Sequence, residues 1–87
     1  MTEAEIRDTV LRVLHGVAPD VDTATLNPGA QLREEADLDS FDYLNFMIEL
    51  SQKLGVDFPE SEYARLTTVN DIVAFATHAA SGSSRSD

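Results

Sequence analysis

Ser40 is the side chain best placed to accept a covalent group, because it directly follows Asp39 at the start of an apolar-periodic stretch. With Asp39 as helix N-cap, the Ser40 hydroxyl projects from a first turn whose backbone N–H groups lack partners and whose positive end faces solvent. A phosphodiester carried there would be electrostatically favoured. An Asp-Ser pair is also ordinary helix-start chemistry, so context has to decide what it means.

Other candidate chemistry is weaker. Ser40 lacks the G-x-S-x-G turn of a serine hydrolase and has no histidine near it in sequence to act as base. His15 and His78 fall near the ends of different helical stretches and read as surface or packing residues. Glu34, Glu35, Asp37, Asp39 and Asp42 cluster like a calcium loop, but counting from Asp37 puts Asp42 at the glycine position and Ile48 at the final glutamate position. That cluster reads as a solvated acidic face with at most weak cation binding, and no metal site is expected. The chain has no cysteine, which excludes a disulfide, a thiolate metal site and a thiol nucleophile.

Three main helices position these residues. Thr2 and Glu5 have capping-box spacing, and Ile6, Val10, Val13, Leu14 and Val17 share one side of a first helix that Pro19 stops by about Ala18. Periodicity fails from Asp20 to Asp39, and Asn27-Pro28-Gly29 marks a turn, so this is a long loop pinned by Leu26 and Leu32. A structureless loop of that length is uncommon in a compact domain and often functional. The second helix runs from Ser40 to Leu54, with Asp42 in its first turn, Lys53 in its last and Gly55 ending it. Phe58 and Pro59 introduce a short helical turn over Glu60 to Arg65. Thr68 and Asp71 cap a last helix defined by Val69, Ile72, Val73 and Ala76 and reaching about Ala80. Residues 81–87 read as a disordered Ser-rich tail. With no sustained alternation to suggest strands, the fold class is all-α. It is a small four-helix bundle of three main helices and one short helix, with a long loop between the first two.

At about 100° per residue, the second helix carries two apolar stripes. Tyr43, Phe46, Met47, Leu50 and Leu54 span an arc wide enough to face a core, beside a polar arc of Asp42, Asn45, Glu49, Gln52 and Lys53. Phe41, Leu44 and Ile48 form a narrower stripe away from the first. It either packs under the long loop or lies exposed for partners, and the pattern alone leaves both open.

The 87 residues suffice for one domain. Sixteen acidic against six basic residues give a formal charge of −10, which disfavours nucleic acid and anionic lipid surfaces. The acidity either serves solubility alone or steers the chain to enzymes with basic docking patches. No basic stretch leads into an apolar run and no segment is long and apolar enough to span a bilayer, so a cytoplasmic monomer without membrane insertion is expected.

Asp39-Ser40-Phe41, followed by Asp42, Leu44, Phe46, Met47, Ile48 and Glu49, resembles the phosphopantetheine attachment region of the acyl carrier protein family. Leu54-Gly55-Val56-Asp57-Phe58-Pro59 is similar to that family's entry into its short helix, and Leu66-Thr67-Thr68-Val69 with Asp71, Ile72 and Val73 to its entry into the last helix. The resemblance runs in register from about Glu3 to Ala79, so residues 1–80 are expected to form the carrier domain. There are departures: Asp37 stands where the family commonly has glycine, Phe41 replaces the usual leucine, and Ser51, Gln52 and Lys53 stand where acids are common.

The resemblance implies a non-enzymatic carrier. A phosphopantetheinyl transferase would move 4′-phosphopantetheine from coenzyme A onto Ser40, and the arm's thiol would hold acyl groups as thioesters. Asp39 would help the transferase position its metal and substrate. Phe41, Leu44, Ile48, Asp42 and Glu49 would meet partner enzymes such as ligases, ketosynthases or acyltransferases of fatty-acid or polyketide synthesis. An aminoacyl or peptidyl carrier is an alternative, and so is a helical interaction module that carries nothing.

Overall fold

The computed structural model describes the backbone of residues 2–85 and the side chains of residues 2–79. Among the described residues it is helical without strands: α1 (Glu3–Val17), α2 (Leu32–Glu35), α3 (Ser40–Leu54), a 3-10 helix (Glu60–Arg65) and α4 (Val69–Arg85).

Helix boundaries follow local chemistry. Thr2 Oγ1 accepts from the Glu5 N–H at 3.1 Å while the Thr2 N–H donates to Glu5 Oε1 at 2.7 Å, so each residue satisfies a free donor of the other. This contact with Thr2 holds the Glu5 carboxyl below the usual range. At the far end the Ala18 N–H reaches the Leu14 carbonyl at 2.8 Å before Pro19. Helix α3 ends at Gly55, whose φ of 65° is the left-handed conformation that glycine adopts without a Cβ penalty. Thr68 Oγ1 accepts from the Asp71 N–H at 3.0 Å and starts α4.

The core lies where α1 packs on both α3 and α4. Ile6, Val10 and Leu14 of α1, Phe46, Met47 and Leu50 of α3, and Ile72, Val73 and Ala76 of α4 are buried in one cluster. Phe58 joins it, its ring 5.5 Å from that of Phe75. Leu54 packs at the edge.

The segment between α1 and α3 departs from the structureless loop expected of it. Leu32 to Glu35 forms one helical turn, because Leu32, Ala36 and Leu38 are all buried and a turn lets Leu32 and Ala36 face the core together. The Leu32 N–H donates to the Thr67 carbonyl at 2.7 Å, and the Asn70 N–H to the Pro28 carbonyl at 3.0 Å. These bonds tie the loop to the entry of α4. Leu32 is fully buried and Leu26 partly so, as expected of the residues that pin it.

The short helix spans Glu60 to Arg65 as expected, with Pro59 in extended backbone (ψ 139°) just before it. One boundary differs from expectation. Helix α4 passes the expected end near Ala80, so Ser81 to Arg85, the first five residues of the expected disordered tail, are helical; residues 86 and 87 lie outside the described residues. Extending a helix costs far less than starting one, and serine or glycine weakens a propagating helix without blocking it as proline would.

Candidate functional site

Ser40 is the first residue of α3 and is exposed. Asp39 before it is extended (φ −84°, ψ −179°), and its carboxylate accepts from the Asp42 N–H at 2.8 Å. The cap thus consumes one free donor of the first turn. Ser40 Oγ accepts instead from Arg33 Nη2 of α2 at 3.1 Å, and Arg33 Nε donates to the Leu38 carbonyl at 3.4 Å.

Asp37 lies in the turn leading to this cap with φ 53°, the one positive-φ residue other than glycine among the described residues. Aspartate enters that conformation more readily than most residues, so the chain makes the turn where glycine would make it freely. The departure from glycine at this position therefore leaves the geometry at Ser40 intact.

The two apolar stripes of α3 part company in the structure. Tyr43, Phe46, Met47 and Leu50 are buried, while Phe41, Leu44 and Ile48 are 69%, 38% and 46% exposed. The narrow stripe therefore does not pack under the loop. Leu44 shares a groove with Ser40, walled by Arg33, Tyr63, Ala64 and Thr67. Asp42 and Glu49 stand elsewhere on the helix. Asp42 lines a depression with Val17, Leu26 and Asp37, and Glu49 sits with Thr9, Arg12 and Lys53 beside α1. The predicted partner residues thus form an apolar patch and a separate acidic flank.

Tyr43 forms the inner wall of the groove. Its hydroxyl donates to the Leu66 carbonyl, with the Tyr63 carbonyl at 3.3 Å, and its ring meets that of Tyr63 edge-on at 6.1 Å. Burial, reinforced by Tyr63, raises the Tyr43 phenol above its ordinary value, although Arg33 pulls the other way. Burial also raises Tyr63, with Glu60 and Asp57 adding to it. Both remain hydroxyl donors at neutral pH.

The surroundings of Ser40 offer attachment rather than catalysis. His15 is exposed on α1, where it shares a shallow depression with Arg12 and Thr23, and His78 is exposed on α4. Neither lines the Ser40 groove. Among the described residues, no three acidic, histidine or cysteine side chains are grouped to hold a metal ion, and no helix is long and apolar enough to cross a membrane.

Arg33 is the site residue that sequence reasoning overlooks. The available signal is that it is the only lysine or arginine between Arg12 and Lys53, seven residues before Ser40.

Comparison with known proteins identifies the family. The model of the phosphopantetheine attachment site family matches residues 4–76. The acyl carrier protein of Campylobacter hominis is 31% identical over 71 residues, covering 82% of this chain and 84% of its own. Acyl carrier protein 2 of Ralstonia nicotianae is 33% identical over 73 residues, covering 84% and 89%. A solved structure of the acyl carrier protein from Enterococcus faecalis shares the fold, with a TM-score of 0.78 at 18% identity over 91% of this chain and 99% of that one. The chain therefore belongs to the acyl carrier protein family, a carrier rather than a catalyst, with covalently attached 4′-phosphopantetheine as its prosthetic group.

Proposed function

We propose that Ser40 bears the phosphopantetheine arm and that the loaded chain delivers acyl groups to enzymes of fatty-acid or polyketide and related secondary-metabolite synthesis. The observation carrying this reading is the exposed Ser40 hydroxyl, first residue of α3, directly after the capping Asp39. A phosphodiester there adjoins backbone N–H groups of a first turn and the positive end of a long helix, so these residues fit the group. When bound, the arm supplies a thiol that the cysteine-free chain lacks.

Asp39 has two tasks in this reading, capping α3 and presenting a carboxylate to the phosphopantetheinyl transferase. Phe41, Leu44 and Ile48 supply an apolar anchor for that transferase and for ligases, ketosynthases or acyltransferases, and Asp42 and Glu49 supply charge on the flank. The formal charge of −10 supports electrostatic steering toward basic enzyme surfaces, and the protein is read as a cytoplasmic monomer. Acyl rather than aminoacyl cargo is favoured because the relatives reported above are named acyl carrier proteins.

Intact mass after incubation with coenzyme A and a broad-specificity transferase tests the attachment. The wild type should gain one phosphopantetheine and Ser40→Ala none; a gain that persists in Ser40→Ala would place the arm elsewhere.

A further inference from the structure

We infer that Arg33 is a positioning residue for the arm: its guanidinium moves from the Ser40 hydroxyl to the phosphodiester that replaces the hydroxyl proton, holding the phosphate on the α2 side of α3. This rests on Ser40 being the attachment site.

The geometry supplies an anchored cation at the atom to be modified. Arg33 Nη2 lies 3.1 Å from Ser40 Oγ, while Nε of the same side chain donates to the Leu38 carbonyl at 3.4 Å. Two of the three nitrogens of that planar fork are thus already turned toward the Leu38–Ser40 segment. Arg12 and Arg65, by contrast, spend their charge on the neighbouring carboxylates of Asp8 and Glu62, at 2.7 and 3.3 Å. Arg33 forms no ion pair among the described residues.

Charge balance gives the contact its value. Glu34, Glu35, Asp37, Asp39 and Asp42 all lie within nine residues of Arg33, so a phosphodiester on Ser40 adds an anion to a segment whose only basic residue is Arg33. A phosphate has two free oxygens that accept charge-assisted bonds from a guanidinium, and arginine suits such planar, paired recognition better than lysine does. Asp37 and Asp42 line the depression on the other flank, where a phosphate would meet like charge. Arg33 and Ser40 share the groove with Leu44 and Tyr63. The phosphate is therefore held toward that groove.

Phosphorus NMR of the holo protein, with loading read by intact mass, tests the assignment. The wild type should show a through-bond correlation between Arg33 guanidinium protons and the phosphorus. Arg33→Gln should still load, lose the correlation and shift the phosphorus resonance, with Arg33→Lys intermediate and Arg12→Gln unchanged. Since Arg33 is exposed, these variants test contact rather than folding. A phosphorus resonance identical in wild type and Arg33→Gln, both fully loaded, would overturn the role of Arg33 while leaving Ser40 as the attachment site. Failure of the wild type itself to load at Ser40 would overturn both.

Discussion

Helix α3 carries two apolar faces of nearly the same composition, and they meet opposite environments. Phe46, Met47 and Leu50 are fully buried in the core cluster, where α3 packs on α1, whereas Phe41, Leu44 and Ile48 face solvent. Residue type therefore does not separate the buried face from the exposed one here; angular position on the helix does. The buried face stabilises the bundle by removing apolar area from water. The exposed face forgoes that gain, and its three side chains are the large hydrophobics left exposed among the described residues. Such a patch is the surface that the proposed docking of partner enzymes would use.

The comparison breaks most visibly if the buried face proves dispensable. Phe46→Ala or Leu50→Ala should cost about 2–5 kcal/mol, a large share of the roughly 5–15 kcal/mol available to a small domain. Urea titration followed by circular dichroism would measure it, and a loss below 1 kcal/mol would mean that this face is not the core.

A smaller effect is expected at Tyr43, the polar member of the buried stripe. Tyr43→Phe leaves the Leu66 and Tyr63 carbonyls without their hydroxyl donor and should cost about 1–2 kcal/mol at neutral pH. The phenol's pKa is raised on folding above its ordinary value of 10.0, so the folded state keeps the proton that the unfolded state releases. Its stabilisation is therefore complete below pH 10 and lost as pH rises through the folded value. Alkaline melting curves should fall less steeply for Tyr43→Phe than for wild type, without flattening, because Tyr63 is shifted in the same direction.

Smaller again is the change at the approach to Ser40, where Asp37 holds φ 53°. Asp37→Gly should raise stability by about 0.5–1 kcal/mol, because glycine meets no Cβ penalty there and pays only backbone entropy. Unlike the core variants, it should leave loading at Ser40 unchanged, as a melting curve paired with intact mass would show.

How much of this was legible in the sequence depended on whether the cause was local. The limits of α3 at Ser40 and Leu54 follow from Asp39 and Gly55, each acting through its own backbone, and both can be read residue by residue. The two stripes follow from helical geometry alone. Their environments do not: whether the long loop covers Phe41, Leu44 and Ile48 is a tertiary matter, settled by Leu32, Ala36 and Leu38 taking the loop into the core elsewhere. One turn at Leu32 to Glu35 is too short to announce itself by periodicity, although Leu32 and Ala36 are one turn apart. Arg33 on Ser40 escapes sequence reading because that contact exists only once α2 has formed and docked.

The division of α3 into a folding face and a docking face is tested most directly by measuring stability and transferase loading rate on the same four variants, Leu44→Ala, Ile48→Ala, Phe46→Ala and Leu50→Ala. Leu44→Ala and Ile48→Ala should stay within about 0.5 kcal/mol of wild type in stability. Their loading efficiency should fall about five-fold or more, the equivalent of losing roughly 1 kcal/mol at an interface anchor. Phe46→Ala and Leu50→Ala should lose stability and load normally under conditions where they remain folded. Unfolding of Leu44→Ala and Ile48→Ala as readily as Leu50→Ala, or loading at the wild-type rate by both, would contradict the account.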